Sequence, residues 1–371
     1  MSDTAQTHVA IACGGTGGHF FPAVAVAREL IHADARPTLL ISEKKIDRQA
    51  VSTVPEIAHL KIPAVAFNMK RPIRFALGLR SAIHRVRDHF ADDPPNAVLA
   101  MGGFTAAAPI RVGRQMEVAT FLHESNVVPG RANRLLSHYV DEIFIGFEST
   151  RERFGKKVIT ESGTPVRSGF RNQNREECCS QMGFDAAKPL ILVTGGSQGA
   201  RGVNRMVAGA LPRLTEHLRD AQWLHLCGTQ DLADVKKAYD KTNFHAVVHD
   251  FFDDMPSALG AADLAICRSG ASSLAELAAA KVPAILVPLP TAANDHQRVN
   301  ARAAVKNGGA IMFEEAETMS AVFAEEVVGL ISDKEKLMQM SNAMKLLDRP
   351  EAAKFIATRI LKACEKGAID S

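Results

Sequence analysis

At 371 residues the chain has room for two domains of ordinary size, or three at a stretch, each able to bury its own core. Its 46% hydrophobic and 23% charged residues and net charge of +3 exclude intrinsic disorder and say little about partners; no nucleic-acid partner is expected. Cys13, Cys178, Cys179, Cys227, Cys267 and Cys364 have neither CxxC spacing nor an accompanying His pair, and read as thiols of a reducing compartment. The polar opening Met1 to Thr7 and the short first apolar run do not read as a secretory signal, and no stretch reaches the length of a membrane span.

In chain order, His8 to Cys13 is an apolar strand that runs into Gly14-Gly15-Thr16-Gly17-Gly18-His19 and then into a helical pattern from Pro22 to Leu30. Glycines at such a turn allow close backbone approach, and the N–H groups at a helix start favour an anion, so phosphate is the expected ligand. A strand follows at Pro37 to Ser42. From Lys70 to Ile83 basic and apolar residues interleave, a pattern that suits an anionic membrane surface and equally an ordinary solvated amphipathic helix with His84 and Arg87 outward. Strands at Ala97 to Met101, Ala119 to Leu122 and Glu142 to Gly146 complete the first half.

The polar, glycine-broken stretch from Gly163 to Arg175 reads as a linker. Beyond it the opening device is repeated: the strand Pro189 to Thr194 runs into Gly195-Gly196-Ser197-Gln198-Gly199-Ala200 and a helix. Further apolar strands lie at Trp223 to Gly228, Ala246 to Val248, Asp263 to Cys267 and Ala284 to Pro288, and a last helix runs from Ala352 to Ala363. Continuous apolar strands alternating with helices predict an α/β chain with parallel sheets covered on both faces. The expected division is 1–163 and 164–350, with 351–371 crossing back onto the first domain and a ligand cleft between the halves.

The segment Cys267-Arg268-Ser269-Gly270-Ala271-Ser272-Ser273-Leu274-Ala275-Glu276 admits two readings. Ser273 and Glu276 have capping-box spacing. Alternatively the helix start and Arg268 serve a diphosphate, and the Glu276 carboxylate accepts both hydroxyls of a ribose. Neither glycine turn is a GxGxxG or Walker sequence, which disfavours a dinucleotide oxidoreductase, although Glu43 follows the second strand.

Together with His123-Glu124-Ser125-Asn126 and Asp295-His296-Gln297, these motifs occur in the order found in the MurG family of peptidoglycan glycosyltransferases, which the chain resembles from end to end. The resemblance implies a GT-B fold, two Rossmann-like domains facing across a cleft. It implies transfer of N-acetylglucosamine from UDP-GlcNAc to undecaprenyl-pyrophosphoryl-MurNAc-pentapeptide, lipid I, to give lipid II with anomeric inversion. No cofactor or metal is implied, and the chain has no D-x-D triplet.

By position the resemblance puts UDP-GlcNAc against Thr16, Gly17, Gly18, Asn126, Arg167, Ser197, Gln198, Phe252, Met255, Arg268, Ala271, Ser272, Ser273, Leu274, Ala275, Glu276 and Gln297. Phe252 and Met255 would meet the uracil, Arg167, Ser197 and Arg268 the diphosphate, Glu276 the ribose, and Gln297 and Asn126 the sugar. Gln297 also fits a polar helix start with an Asp cap, and Asn126 a turn former beside Pro129-Gly130. The general base expected for the acceptor hydroxyl is His19, with His123 and Glu124 a second base and orienter. Gly14, Gly15, His123, Glu124 and Asn133 are assigned to the acceptor or to structure, and Lys70, Arg71, Arg74, Phe75, Leu79, Arg80 and Ile83 to membrane association.

Expected partners are UDP-GlcNAc, lipid I, an anionic membrane surface and a cell-wall synthesis complex, at the cytoplasmic face of the inner membrane. Phe104 where Tyr is common, Thr164 where Asn is usual and Ser125 where Gln or Glu is often seen depart from the family pattern. Alternatives are a related GT-B enzyme for another acceptor, a UDP-GlcNAc epimerase, or a nucleotide-sugar binding protein without turnover.

Overall fold

The computed structural model describes residues 6–15, 17–63, 72–155, 157–196, 199–315 and 319–369. Thr16, Lys70, Arg71, Ser197 and Gln198, all expected in sites, lie outside them. The chain divides into two compact units, Met1–Arg167 with Arg349–Ser371, and Ser168–Asp348.

In the first unit the order is β1 (His8–Ala12), α1 (Gly17–His32), β2 (Arg36–Ser42), α2 (Lys45–Val51), β3 (Ala58–Ile62), α3 (Pro72–Asp92), β4 (Ala97–Ala100), α4 (Ala107–Gln115), β5 (Ala119–Glu124), α5 (Arg131–Leu136), β6 (Glu142–Ile145) and β7 (Ile159–Glu161). The second holds α6 (Arg175–Gln181), β8 (Leu190–Thr194), α7 (Arg201–His217), β9 (Gln222–Leu226), α8 (Leu232–Tyr239), β10 (His245–His249), α9 (Met255–Ala261), β11 (Leu264–Cys267), α10 (Ala271–Ala280), β12 (Ala284–Leu286), α11 (His296–Lys306), β13 (Ala310–Met312), α12 (Ser320–Ser332) and α13 (Lys334–Lys345). The last helix, α14 (Ala352–Ile369), packs on α1 and β5 of the first unit.

Both sheets are parallel throughout, in the orders β3-β2-β1-β4-β5-β6-β7 and β10-β9-β8-β11-β12-β13. Parallel pairing buries both faces, because each crossover lays a helix on the sheet. Alternation along β1 divides its residues between two layers. Val9 and Ile11 meet Phe20, Val24 and Leu30 of α1 and Ile356 and Ile360 of α14, while Ala10 and Ala12 meet Val86 and Phe90 of α3. In the second unit Ile191 and Val193 pack with Val203, Val207 and Leu211 of α7 and Phe323 and Val327 of α12. Each such large apolar side chain removed from water contributes about 1.5–3 kcal/mol.

In each unit the strand order reverses beside its first strand, between β1 and β4 and between β8 and β11. Crossovers leave these strands on opposite faces of the sheet, so a crevice opens beyond their carboxyl ends. Each glycine turn leaves one of these two strands, and is thereby placed at the switch point of its own sheet.

Candidate active site

In the first unit the glycine turn is built by contacts distant in sequence. Thr105 Oγ1 donates to the Gly14 carbonyl at 3.0 Å, and Gly15 N–H donates to the buried Asp47 carboxylate at 2.8 and 3.1 Å. His19 follows as the third residue of α1 and is half-buried. Its ring lies over the turn after β4: a Cβ on Gly102 would stand 3.1 Å from His19 Nε2 and 3.1 Å from Asn133 Nδ2, and one on Gly103 3.5 Å from His19 Nδ1. Gly102 has φ +113°, where an L side chain is strained, so glycine meets both the backbone and the space requirement there. Burial pushes the His19 imidazole below its ordinary pKa, opposed by the charges of Glu124 and Asp47, which favours the neutral form a base needs.

Glu124 and His123, at the end of β5, are engaged otherwise. The Glu124 carboxylate accepts from Asn126 N–H and Nδ2 at 2.9 Å, from Gly130 N–H at 2.9 Å and from Asn133 Nδ2 at 2.8 Å. Four donors on two oxygens fill the acceptor capacity of a carboxylate, leaving no lone pair for a substrate proton. His123 is fully buried, with Nε2 donating to the Gly163 carbonyl at 3.0 Å and Nδ1 at 3.3 Å from Ser125 Oγ. Desolvation holds its pKa down to about 4. The pair expected as a second base and orienter instead braces the loop that carries Asn126 and the helix α5 that carries Asn133. Asn126 itself ties its amide to Glu124, which the turn-former alternative did not anticipate.

Arg167, the last residue of the first unit's long segment, lies with its guanidinium carbon 4.2 Å from the centre of the Phe21 ring in α1. The residues that depart from the family pattern have structural partners here. Phe104 stacks edge-on with Phe75 at 6.3 Å, Ser125 faces His123, and Thr164 is buried against Gly146.

In the second unit, Gly199 N–H donates to the Gly196 carbonyl at 3.0 Å, and a Cβ on Gly199 would run into the Cys227 carbonyl at the end of β9. The helix after β11 begins at Ala271 with Gly270 at the N-cap, so Ser273 is the third helical residue rather than the cap, and the capping-box reading of Ser273 and Glu276 is overturned. Gly270 has no side chain, and the first-turn N–H groups receive no side-chain cap. Ala271, Leu274 and Leu277 face the core, whereas Ser272, Ser273, Ala275 and Glu276 are half-buried along the other side of α10. Ala271 and Leu274 could contact a ligand only through their backbone.

Arg268 is 9% exposed and its guanidinium is already engaged. Nη1 donates to the Val287 and Pro288 carbonyls at 3.1 Å, and Nη2 pairs with Glu315 at 2.7 Å. A diphosphate meeting this side chain would compete with Glu315, so Arg268 is better placed to shape the turn than to bind in its own right. Gln297 Oε1 accepts from Leu289 N–H at 3.0 Å, and its carbonyl accepts from Ser269 Oγ at 2.8 Å, tying the ends of β11 and β12 to α11. The Asp-cap alternative fails: Asp295 occupies the N-cap in the left-handed region at φ 54°, and its carboxylate is 3.5 Å from Arg298 Nε instead of on a helix N–H. Phe252 is half-buried with its ring 5.6 Å from that of His249, and Met255 opens α9, which Asp254 caps through Ser257.

The expected membrane segment separates into two faces on α3. Leu79 and Ile83 pack against the core with Val86 and Phe90, which corrects their assignment to the surface. Ile73, 75% exposed, and Leu77, 63% exposed, take that place, with Arg80 exposed one turn on. The 3.6-residue phase of the helix, rather than the interleaving of basic and apolar residues, decides which apolar side chains face outward. Arg74 lies in the first turn of α3. Among the described residues, no helix is long and apolar enough to cross a membrane.

Residues 9–145 match the glycosyltransferase family 28 N-terminal domain, and residues 190–356 its C-terminal domain. The chain is 35% identical over 363 residues, 95% of its length and 98% of the relative's, to the UDP-N-acetylglucosamine–N-acetylmuramyl-(pentapeptide) pyrophosphoryl-undecaprenol N-acetylglucosamine transferase of Listeria welshimeri. It is similar to the crystal structure of Acinetobacter baumannii MurG, with a TM-score of 0.76 and 27% identity, covering 96% of this chain and 99% of that one. The UDP-GlcNAc 2-epimerase of Neisseria meningitidis, at 14% identity, 96% and 100% coverage and a TM-score of 0.70, shares the fold alone. Two parallel-sheet units, a glycine turn at each switch point and this likeness over nearly the whole length together establish that the chain belongs to the MurG family of glycosyltransferases.

Proposed function

We propose that the chain transfers N-acetylglucosamine from UDP-GlcNAc to the MurNAc 4-hydroxyl of lipid I, forming lipid II, with the donor on the second unit, the acceptor on the first and His19 as the base. The observation that carries the assignment of the base is the place of His19, half-buried at the start of the helix that leaves the glycine turn and with its neutral form favoured. The His123 ring nitrogens and the Glu124 oxygens are bound within the protein. In the inverting displacement the hydroxyl oxygen bonds to the anomeric carbon as its proton passes to His19. The bond from that carbon to the UDP oxygen breaks, and its electron pair leaves with the diphosphate. In this reading the first-turn N–H groups of α10 take up that charge, and Glu276, one turn on along the same face, accepts the ribose hydroxyls. Gln297 and Asn126 serve the sugar, Arg167 the diphosphate, and Phe252 and Met255 the uracil.

The exposed apolar face of α3, with Arg80 beside it, supports attachment to an anionic membrane surface, where the lipid-linked acceptor resides. The cytoplasmic face of the inner membrane is the corresponding location, and a cell-wall synthesis complex the corresponding protein setting.

The test is UDP release from UDP-GlcNAc with and without a short-chain lipid I analogue, with the product analysed for linkage. Release that requires the acceptor and gives a β-linked disaccharide is expected. Substitution His19→Ala should lower kcat by about a hundred- to ten-thousand-fold while leaving UDP binding intact. Conversion of UDP-GlcNAc without acceptor would favour the epimerase reading.

A further inference from the structure

Asp47 was not singled out by any motif, yet its carboxylate is among the most buried in the chain, at 1% exposure. It accepts from Gly15 N–H with both oxygens, at 2.8 and 3.1 Å, from Ser42 N–H at 3.0 Å, and from the Ser42 hydroxyl. Asp47 comes from α2, Ser42 from the end of β2 and Gly15 from the turn after β1, so one carboxylate joins three elements behind the glycine turn. On the other side Thr105 holds the Gly14 carbonyl. The backbone four residues before His19 is thus clamped from two directions, and the N–H of Gly15, which an anionic ligand would otherwise take, is given to an anion of the chain itself.

We propose that Asp47 is a positioning residue for glycosyl transfer: it is the anion that Gly15 binds, and by locking the turn it presents His19 to the acceptor hydroxyl in one orientation. The proposal rests on the reading of His19 as base. It has an electrostatic side as well. The charged and titratable groups that act on His19 are Glu124 and His123 from β5 and Asp47 from α2, and Glu124 and Asp47 raise its proton affinity against the effect of burial. Removing the Asp47 charge should therefore make His19 a weaker base as well as a less ordered one.

The experiment measures kcat, the acid limb of kcat/KM, UDP binding and thermal unfolding on the whole protein. For Asp47→Asn, which keeps size and loses charge, kcat should fall about tenfold or more, and the acid limb should move to lower pH. UDP binding should stay within about twofold of wild type, since the donor site is on the other unit. Asp47→Glu keeps the charge and displaces the turn, so kcat should fall with the limb in place; Ser42→Ala removes one donor and should give a smaller loss, also with the limb in place. An unmoved limb in Asp47→Asn would reduce Asp47 to a structural brace and overturn the proposal. Should that variant not fold, wild-type kcat in both Asp47→Glu and Ser42→Ala would overturn it equally. His19→Ala separates the two claims: if the limb survives there, the base assignment itself fails, whereas loss of the limb there with no shift in Asp47→Asn condemns the Asp47 proposal alone.

Discussion

His19 owes its position to two residues that have no side chain. Gly102 and Gly103 form a surface against which the imidazole rests, and Gly102 adopts a φ of +113° to do so. Substitution Gly102→Ala adds a Cβ 3.1 Å from His19 Nε2 and 3.2 Å from Asn133 Oδ1, and strains the backbone by about 1–3 kcal/mol. The expected outcome is a large fall in kcat with UDP affinity unchanged, read by steady-state kinetics beside calorimetric titration with UDP. The pH dependence follows from the same site. Burial favours the neutral imidazole, so His19 should remain an active base below the ordinary histidine pKa of 6.5. The acid midpoint of kcat/KM should accordingly lie under 6.5, and a midpoint above it would contradict this account of the site.

Among the elements, α3 shows how one helix serves two media. Leu79, Ile83, Val86 and Phe90 follow the helical repeat into the core, and Ile73 and Leu77 follow it outward, with Phe75 and Phe104 in edge-on contact nearby. The double substitution of Ile73 and Leu77 to Glu removes apolar area and adds repulsion from anionic lipid. Binding to vesicles containing anionic phospholipid should fall at least about tenfold, with thermal stability and UDP affinity retained. Leu79→Glu should instead lower the unfolding temperature, because it buries a charge without a partner. Strands divide along similar lines. The interior strands β1, β4, β5, β8 and β11 are continuous apolar runs and were legible from the sequence. Of the edge strands, β10 was legible through Ala246 to Val248, but β3, β7 and β13 were not, since a strand paired on one side only needs no long apolar run: three of the five residues of β3 are exposed.

For the whole molecule, two buried histidines make folding itself dependent on pH. His225 lies in the core of the second unit, with Nδ1 3.2 Å from the Tyr239 hydroxyl and Nε2 3.0 Å from Asn204 Oδ1. Asn204 uses its Nδ2 on Cys227 and Asp231, so its Oδ1 accepts from His225 Nε2–H, and Tyr239 donates to Nδ1. Burial depresses the pKa of His225 from 6.5 to about 3 and that of His123, in the first unit, to about 4. Above pH 6.5 each is neutral whether folded or unfolded. Below it only the unfolded chain takes up the proton, so the stability these groups contribute is complete above pH 6.5 and is lost as pH falls toward their folded pKa values. Each loses about 1.4 kcal/mol per pH unit within that window. The single tryptophan, Trp223, is fully buried in the second unit, so its fluorescence reports that unit's unfolding. Denaturant titrations followed by Trp223 should show a declining stability from pH 6.5 to 4.5, and His225→Gln should flatten the decline.

What the sequence by itself determined is the local and the periodic: alternating strands and helices, the parallel sheets implied by two-sided apolar strands, the two glycine turns and the ordered motifs that identify the family. These depend on neighbours within a few residues, where spacing translates directly into a face or a turn. Tertiary structure alone decided which polar groups are spent on the protein. Glu124 and His123 lie in a motif as prominent as that of His19, but their bonds to Asn133 and Gly163 are made across chain separations of 9 and 40 residues. Arg268 looks like a diphosphate ligand until Glu315 and the carbonyls of Val287 and Pro288 are seen around it. Asp47 carries no motif at all and reaches Gly15 over 32 residues. A hydrogen bond is satisfied by whatever the fold brings within about 3 Å, and sequence spacing holds no record of that distance.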